Sequence, residues 1–444
     1  TASGHPDCAK VGTDVVFATS QTCFYAEQGG QVGDTGVVRT DTGEIEVRSV
    51  TWRGEHILHH GTVIKGEIYP AQECKMAVDS TRRRPTMKNH TSTHLLNWAL
   101  REVLGGRVEQ KGSLVDPEKT RFDFSHRKPV TGEELARIES LVNERIEAKL
   151  PVYTQEVEEK RAREINTLRA VFGEKYPDIV RVVSIGADID EMLKSPSDPK
   201  WMQYSVEFCG GTHLKNTSEA ERFVLITEEA VAKGIRRVVG ITGEAALAAE
   251  AAGEKLLAEA ERVAEGPKDQ LADGLASLQQ ALHDSVVPIR AAIQLREKMA
   301  ELQKVARKQQ KEAAGADAAD VRARAAELLD TATIVGDTTL IVGEVPQAAA
   351  EALRGAVDWF RQKTASSAVF LACHDGQKVT LLAGMSRDVV ARGIKAGDLI
   401  KAVAPAVGGR GGGRPDMAQG GGNDPTGIGS ALEQGRAWLV ERLG

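Results

Sequence analysis

Two stretches of the chain repeat apolar residues with the 3.6-residue period of an α-helix. The first covers residues 89–104 and stops at two glycines, and the second covers residues 131–150 and stops at Pro151. Thr131 and Glu134 have the spacing of a capping box, in which each side chain bonds to the other residue's backbone at the start of a helix. The pattern therefore predicts one helix in each stretch.

Short apolar runs between turn residues predict strands in much of the remaining chain. They are frequent in residues 15–76 and return at 180–185, 205–208 and 223–227. Residues 244–329 are instead dominated by Ala, Glu, Lys, Arg, Leu and Gln, which predicts long exposed helices, broken at the prolines 267 and 288. Beyond residue 331 the two patterns alternate, with strands expected at 333–342, 368–373 and 378–382 and helices at 347–363 and 397–407.

These patterns predict an α+β fold with several domains, because 444 residues exceed what one hydrophobic core usually holds. We expect a β-rich subdomain at 1–84, a mixed α/β domain at 85–243, a helical linker at 244–332 and a small α/β domain at 333–444.

Two glycine-rich segments interrupt the strand pattern. Residues 24–36 include adjacent glycines, which suit either a tight hairpin or a close approach of the backbone to a ligand. Residues 407–422 hold Arg410 and Arg414 between glycines, whereas flexible linkers are usually Ser-rich. For this second segment we predict a folded loop that presents backbone N–H groups and the two guanidinium groups to an anion.

Composition and charge narrow the class of protein. The net charge of −6 argues against general attraction to phosphate, so any contact with nucleic acid should be local. The five cysteines contain no CxxC pair, which indicates a reducing compartment, and no apolar run approaches the roughly 20 residues of a membrane helix. The chain begins without a signal-peptide pattern. We expect a cytoplasmic protein that does not span a membrane.

Two short motifs have the spacing of metal ligands. His90 and His94 lie four residues apart on the first predicted helix, so both side chains point from one face. Cys209 and His213 flank two glycines directly after a predicted strand. Three imidazoles and one thiolate suit Zn²⁺ in a tetrahedral site. A zinc protease would have Glu at position 91, where this chain has Thr91, and whether the site is structural or catalytic remains open.

With these residues the sequence resembles the editing domain of alanyl-tRNA synthetases. The resemblance is carried by HTSTH at 90–94, CGGTH at 209–213 and the glycine stretch at 29–34, and it continues through QKGSL at 110–114, RFDF at 121–124, YPD at 176–178 and GIRR at 234–237. Residues 408–422 resemble the glycine-rich segment of the C-terminal domain of the same family.

The resemblance implies an aminoacyl-tRNA deacylase that removes serine or glycine from tRNA(Ala). It implies Zn²⁺ bound by His90, His94, Cys209 and His213. The candidate catalytic residues, for polar contacts to the serine hydroxyl or the ester, are Gln110, Thr91 and Thr93. The candidates for substrate binding are Gly29, Gly30 and Gln31 through main-chain groups in the pocket, and Arg410 and Arg414 on tRNA.

Other interpretations share these motifs. The chain is expected to be a piece of a synthetase that lacks the aminoacylation domain, and so to attach no alanine by itself, but a free-standing trans-editing protein has the same motifs. A threonyl-tRNA synthetase editing domain shares the metal ligands but not the glycine-rich tail. A non-catalytic tRNA-binding module with a structural zinc is a further alternative, and a homodimer could form through the helical or C-terminal region.

Overall fold

A computed structural model describes residues 8–170, 175–345, 348 and 350–444, without the side chains of 310–318. Residue 347, the predicted start of a helix, lies outside this part. The chain divides into two compact units, Thr1–Gln303 and Lys304–Gly444. The four-part division expected from the sequence stays a prediction.

The first unit begins with an antiparallel sheet, as the strand pattern of residues 15–76 predicts. Its strands are β1 (Ala9–Lys10), β2 (Asp14–Phe17), β3 (Gly36–Arg39), β4 (Gly43–Arg53), β5 (His56–Ile68) and β6 (Lys75–Val78). They are arranged in the order β1-β5-β4-β3-β6, with β2 also paired to β5. The glycine-rich segment 24–36 is a loop between β2 and β3, and within it Gln28 and Gln31 exchange both backbone hydrogen bonds across Gly29 and Gly30, as in a tight hairpin turn.

Two four-stranded sheets and two long helices follow. The elements are α1 (Ser80–Leu104), β7 (Gln110–Val115), β8 (Thr120–Ser125), α2 (Gly132–Glu147), β9 (Val152–Glu158), α3 (Glu159–Ala162), β10 (Leu168–Arg169), β11 (Ile179–Ile185), α4 (Ile189–Lys194), β12 (Ser205–Phe208), β13 (Phe223–Ala232) and β14 (Ile235–Thr242). One sheet has the order β13-β14-β8-β7 and the other β10-β12-β11-β9. Helices α1 and α2 bury an apolar core together with the first of these sheets.

Both predicted helices are present, with different bounds. The capping box of Thr131 and Glu134 forms as expected at the start of α2. Helix α1 begins nine residues earlier than predicted, where the Asp79 side chain accepts a hydrogen bond from the backbone N–H of Thr81. The added turns contain Arg82–Arg84 and almost no apolar residue, so hydrophobic periodicity could not reveal them.

The helical region predicted at 244–329 is confirmed. It contains α5 (Gly243–Glu265), α6 (Leu271–Asp284) and α7 (Ile289–Asp330). The breaks fall at the two predicted prolines. Among the described residues no helix is long and apolar enough to cross a membrane.

The second unit contains a six-stranded sheet covered on both faces. After the end of α7 its elements are β15 (Thr333–Val335), β16 (Thr338–Glu344), α8 (Ala350–Lys363), β17 (Ser367–His374), β18 (Val379–Met385), α9 (Arg387–Ala391), α10 (Ala396–Val403), β19 (Arg410–Gly413), β20 (Met417–Gly422) and α11 (Ile428–Leu443). The strand order is β15-β16-β17-β18-β20-β19, and β16 and β17 are parallel. Two apolar clusters pack against this sheet.

The second glycine-rich segment is not the loop we predicted from its composition. It forms the β19–β20 hairpin at the edge of the sheet. A Cβ atom at Gly411 or Gly420 would lie 2.5 or 2.7 Å from the Cγ2 of Ile400 on α10. The glycines are therefore required because a helix packs directly on the hairpin backbone, and propensity alone hides such strands.

Candidate metal centre

A polar segment of α1 is buried. Residues 89–94 are all buried, although none of them is apolar. Asn89 donates a hydrogen bond to the backbone oxygen of Asp116 (2.8 Å) and accepts one from the hydroxyl of Thr242 (2.7 Å). A buried polar group destabilises a fold by about 1–3 kcal/mol unless it has a hydrogen-bond partner, so helices rarely bury many of them. Six consecutive buried polar residues in one helix therefore indicate a functional site.

The second half of the site follows β12. Arg181 on β11 donates hydrogen bonds to the backbone oxygens of Cys209 (2.9 Å) and Gly211 (2.6 Å) and so fixes the turn. A Cβ atom on Gly211 would lie 2.1 Å from the Cε1 of His90. Glycine at this position therefore lets the Cys209–His213 turn approach α1 closely enough for the two motifs to meet.

The four predicted ligands converge. One donor atom from each of His90, His94, Cys209 and His213 lies within 4.8 Å of those of the other three. The Sγ of Cys209 is 3.4 Å from the Nε2 of His90 and 3.3 Å from the Nε2 of His213. The Nδ1 of His94 is buried without a hydrogen-bond partner in the described structure. Three imidazoles and one thiol that converge in this way, with the Nδ1 of His94 left without a partner, fit a cation such as Zn²⁺.

Burial keeps these donors uncharged in the protein itself. Desolvation lowers the pKa of His94 to about 3 and holds the pKa values of His90 and His213 well below their usual range. It raises the pKa of the Cys209 thiol to about 12. Neutral imidazoles are the form that binds metal, and a cation is what would stabilise the Cys209 thiolate in this position.

Two residues lie behind the ligands. Gln31, which is completely buried, places its Oε1 2.6 Å from the Nδ1 of His90. The hydroxyl of Thr91 is 3.2 Å from the Nδ1 of His213 and accepts a hydrogen bond from the backbone N–H of Leu214 (3.1 Å). Both contacts are made through Nδ1, so the Nε2 atoms of His90 and His213 face the Sγ of Cys209 in the cluster.

The cluster lies in the wall of a cavity of about 820 Å³, a volume typical of sites for small ligands. Three of the predicted ligands, His90, His94 and Cys209, line it. The other predicted site residues that line it are Gly29, Gly30, Thr93 and Gln110.

Other predicted site residues lie elsewhere. We expected Thr91 and Gln31 to face the substrate, but neither lines this cavity; both contact ligand histidines instead.

Thr93 does line the cavity, but its hydroxyl already makes two hydrogen bonds, to the backbone oxygen of Asn89 (2.7 Å) and to the hydroxyl of Thr120 (2.5 Å).

Arg410 and Arg414 belong to the second unit, and both are exposed. Arg410 is the first residue of β19 on the edge hairpin, and Arg414 directly follows the strand. The Nε of Arg414 is 3.6 Å from a carboxylate oxygen of Asp416.

Sequence reasoning missed Glu207. This residue lines the cavity, receives a hydrogen bond from Asn97 (2.9 Å) and has a carboxylate oxygen 3.8 Å from the Nε2 of His94. Desolvation raises the pKa of Glu207 to about 7. Strand alternation was the available signal, since Glu207 in β12 lies two positions before Cys209, which directly follows the strand, and residues two apart in extended chain share a face.

Three protein families match parts of the chain. Residues 180–239 match the threonyl and alanyl tRNA synthetase second additional domain, residues 6–82 match tRNA synthetases class II (A), and residues 337–441 match the DHHA1 domain. The first of these matches contains Cys209 and His213, whose partners in the cluster are supplied by α1. The first unit thus carries a domain of the class found in threonyl- and alanyl-tRNA synthetases.

Similar proteins narrow this class. An alanine–tRNA ligase of Candida albicans is 38% identical over 425 residues, covering 95% of this chain and 44% of the relative. One of Methylibium petroleiphilum is 38% identical, covering 98% and 45%. The C-Ala domain of Aquifex aeolicus alanyl-tRNA synthetase is 35% identical, covering 25% of this chain and 96% of that one, with a TM-score of 0.23. The chain belongs to the alanyl-tRNA synthetase family and spans less than half the length of these ligases.

Proposed function

We propose that the first unit is a deacylase that hydrolyses the ester between serine or glycine and the 3′ end of tRNA(Ala). The observation that carries this proposal is the four-donor cluster in the wall of a cavity large enough for a small ligand. A synthetic site shaped for the methyl group of alanine excludes glycine poorly and rejects an added hydroxyl weakly. A separate hydrolytic site would therefore be needed for accurate charging.

His90, His94, Cys209 and His213 are the residues that would hold Zn²⁺. When bound, the ion supplies a Lewis acid beside the reacting ester. The chain's own contribution is to keep the three imidazoles neutral and the donors within reach of each other. Burial of the polar helix segment also limits the access of bulk water to the ligands.

Glu207 is our candidate for the acceptor of the proton from the attacking water. Its pKa of about 7 is close to the value at which a general base is most effective near neutral pH. Asn97 holds one of its oxygens, and the other faces His94 at 3.8 Å. Hydrolysis would then give a free amino acid and the 3′ hydroxyl of the tRNA.

Main-chain and amide groups of the cavity are suited to hold the substrate. Gly30 lies against β7, where a Cβ atom would be 2.5 Å from the backbone oxygen of Ser113, so the cavity wall is formed by backbone. Gln110 donates a hydrogen bond to the Ser113 hydroxyl (3.2 Å), and its amide oxygen, which has no other hydrogen bond to the described residues, could accept one from a serine substrate. This contact would not form with glycine.

The second unit is proposed to bind tRNA through Arg410 and Arg414, which project from the exposed edge hairpin. Such binding would raise the local concentration of the acylated end near the first unit. With an acidic chain overall, these two guanidinium groups are a local site of phosphate attraction. We also propose that the protein acts in the cytoplasm.

The test is deacylation of seryl-tRNA(Ala) by Zn²⁺-loaded protein. We expect Cys209→Ala to lose both bound zinc and activity, because it removes the thiolate ligand. Glu207→Gln should keep its zinc and lose about 10²–10⁴-fold in rate, as is typical when a general base is removed.

Glu55→Gln provides the control, since Glu55 is exposed in the turn between β4 and β5 and does not line the cavity. It should deacylate like the unmodified chain. If Cys209→Ala folds and still clears seryl-tRNA(Ala) at the full rate, the proposed site is wrong. If Cys209→Ala loses its activity but Glu207→Gln keeps the full rate, the proposed site is supported, but Glu207 is not the general base.

A further inference from the structure

The amide of Gln31 has only one orientation that satisfies its surroundings. The backbone N–H of Thr212 lies 2.9 Å from one end of the amide, and the hydroxyl of Thr212 lies 2.9 Å from the other end. A backbone N–H can only donate, so the atom facing it must be the oxygen Oε1. The nitrogen Nε2 is then left to donate to the hydroxyl. This assignment follows from the contacts alone.

The same oxygen determines which nitrogen of His90 carries the proton. Oε1 lies 2.6 Å from the Nδ1 of His90, and an amide oxygen cannot donate a hydrogen bond. The Nδ1 of His90 must therefore be the N–H form. Since a neutral imidazole has a single N–H, its lone pair lies on Nε2, the atom 3.4 Å from the Sγ of Cys209.

The corresponding contact of His213 does not determine which of its ring nitrogens carries the proton. Its Nδ1 faces the hydroxyl of Thr91 at 3.2 Å. A hydroxyl can accept or donate, so this contact permits either tautomer. Among the described contacts of the three histidines, only His90 has an obligate acceptor within hydrogen-bond distance, since the Glu207 oxygen near His94 is 3.8 Å away.

The loop that carries Gln31 is fixed to β7 and to α1 by hydrogen bonds of its own. It is pinned to β7 by hydrogen bonds on either side of Gln31, from Val115 to Gly30 (2.7 Å) and from Val32 to Val115 (3.0 Å). The loop is held to α1 by Asp34, whose carboxylate accepts from the Nε of Arg83 (2.9 Å). The side chain of Gln31 therefore reaches His90 from a support that is fixed independently of the cluster.

We infer that Gln31 is a positioning residue of the metal centre, which holds His90 in the Nδ1–H tautomer and keeps Nε2 available as a ligand. The β-rich part of the first unit thereby contributes to metal affinity although it supplies none of the four ligands. The inference rests on the proposed metal centre but not on the ester that is hydrolysed. Groups that bond the outer nitrogen of a ligand histidine typically change metal affinity by about 10–100-fold.

The experiment compares Gln31→Leu with Gln31→Glu. Leucine removes the acceptor, whereas a carboxylate keeps it for both His90 and the Thr212 N–H. We expect Gln31→Leu to weaken the binding of Zn²⁺, measured by competition with a chelator, by about 10–100-fold. Gln31→Glu should bind at least as tightly as the unmodified chain. Gln28→Leu is the matched control, because Gln28 is exposed in the same loop, and its Zn²⁺ affinity should not change.

A second measurement needs no metal. Nitrogen NMR of the metal-free full chain should show His90 protonated on Nδ1 in the unmodified chain and in Gln31→Glu, and a mixture of tautomers in Gln31→Leu. A merely structural role would weaken zinc binding equally in both variants and leave the tautomer unchanged. Protonation of His90 on Nε2 in the unmodified chain would overturn the inference, as would a Gln31→Leu affinity within threefold of normal.

These outcomes are separable from the proposed function. Loss of zinc affinity in Gln31→Leu, without any deacylation by the unmodified chain, would support the role of Gln31 and refute the hydrolysis. If Gln31→Leu does not fold, the tautomer of the unmodified chain and the affinity of Gln31→Glu still decide the question.

Discussion

Each clustered side chain is uncharged because the protein buries it, and that burial has an energetic consequence. The unfolded chain would carry histidines with a pKa near 6.5, whereas the folded chain keeps all three pKa values far lower. Glu207 is shifted in the opposite sense, from 4.5 to about 7. The metal-free protein therefore has a stability that depends on pH through these groups.

Acidification should destabilise the metal-free protein. Between pH 6.5 and 4.5 the unfolded chain binds a proton on each of the three histidines that the folded site rejects, and Glu207 offsets one of the three by binding a proton only in the folded state. Each group contributes about 1.4 kcal/mol per pH unit, so stability is lost as the pH falls. Urea unfolding in chelator should show a lower midpoint at pH 5 than at pH 7.

His94→Gln gives the comparison for this effect. It removes one of the three histidines, so its stability should depend less steeply on pH, by about 1.4 kcal/mol per pH unit. A midpoint that does not change between the two pH values, in a protein that unfolds reversibly, would mean that the histidines are not buried in the neutral form.

The metal centre is assembled from two secondary-structure contexts. Helix α1 supplies two ligands from successive turns, and the turn after β12 supplies the other two. The two adjacent glycines of this turn, Gly210 and Gly211, have different surroundings. Gly211 faces His90, whereas a Cβ atom on Gly210 would meet nothing within 4 Å.

We expect Gly211→Ala to abolish metal binding while Gly210→Ala preserves it. The added methyl group of the first variant would overlap His90 and Gln31 and push the turn away from α1, whereas that of the second has room. Zinc content of the purified variants, measured with a folding control by circular dichroism, distinguishes them. Equal zinc contents would show that the close approach of the turn to α1 is not required.

The proposed hydrolytic site lies in the first compact unit, and the proposed tRNA contact lies in the second. Phosphate contacts are recognised by their salt dependence, because each one releases counterions. A homodimer through the helical or C-terminal region stays a prediction, which sedimentation of the full chain would check.

Replacing Arg410 and Arg414 together by Gln should weaken tRNA binding. The slope of log affinity against log salt should decrease by about two, one for each phosphate contact removed. The double variant Arg322→Gln/Arg387→Gln changes the charge equally at two other exposed positions of the second unit and should keep the slope. An unchanged slope for the hairpin variant would exclude these arginines as phosphate ligands.

Hydrophobic patterning predicted much of the secondary structure, and it failed where the cause was not local. Strands β11 and β12 and the capping box of α2 are recognisable because their signals lie within a few residues. The early start of α1 carries no apolar pattern, and the glycine hairpin β19–β20 has almost no side chains to form one.

The sequence by itself determined the four candidate ligands, because histidines one helical turn apart and a Cys–His turn around glycines are local signals. The convergence of the two pairs, the raised pKa of Glu207 and the contacts of Gln31 and Thr91 were decided by the tertiary structure. These features depend on burial and on partners far away in the chain, such as Gln31 and Thr212, 181 residues apart. Local patterns record which groups a chain offers, whereas packing decides which of them lose water and meet.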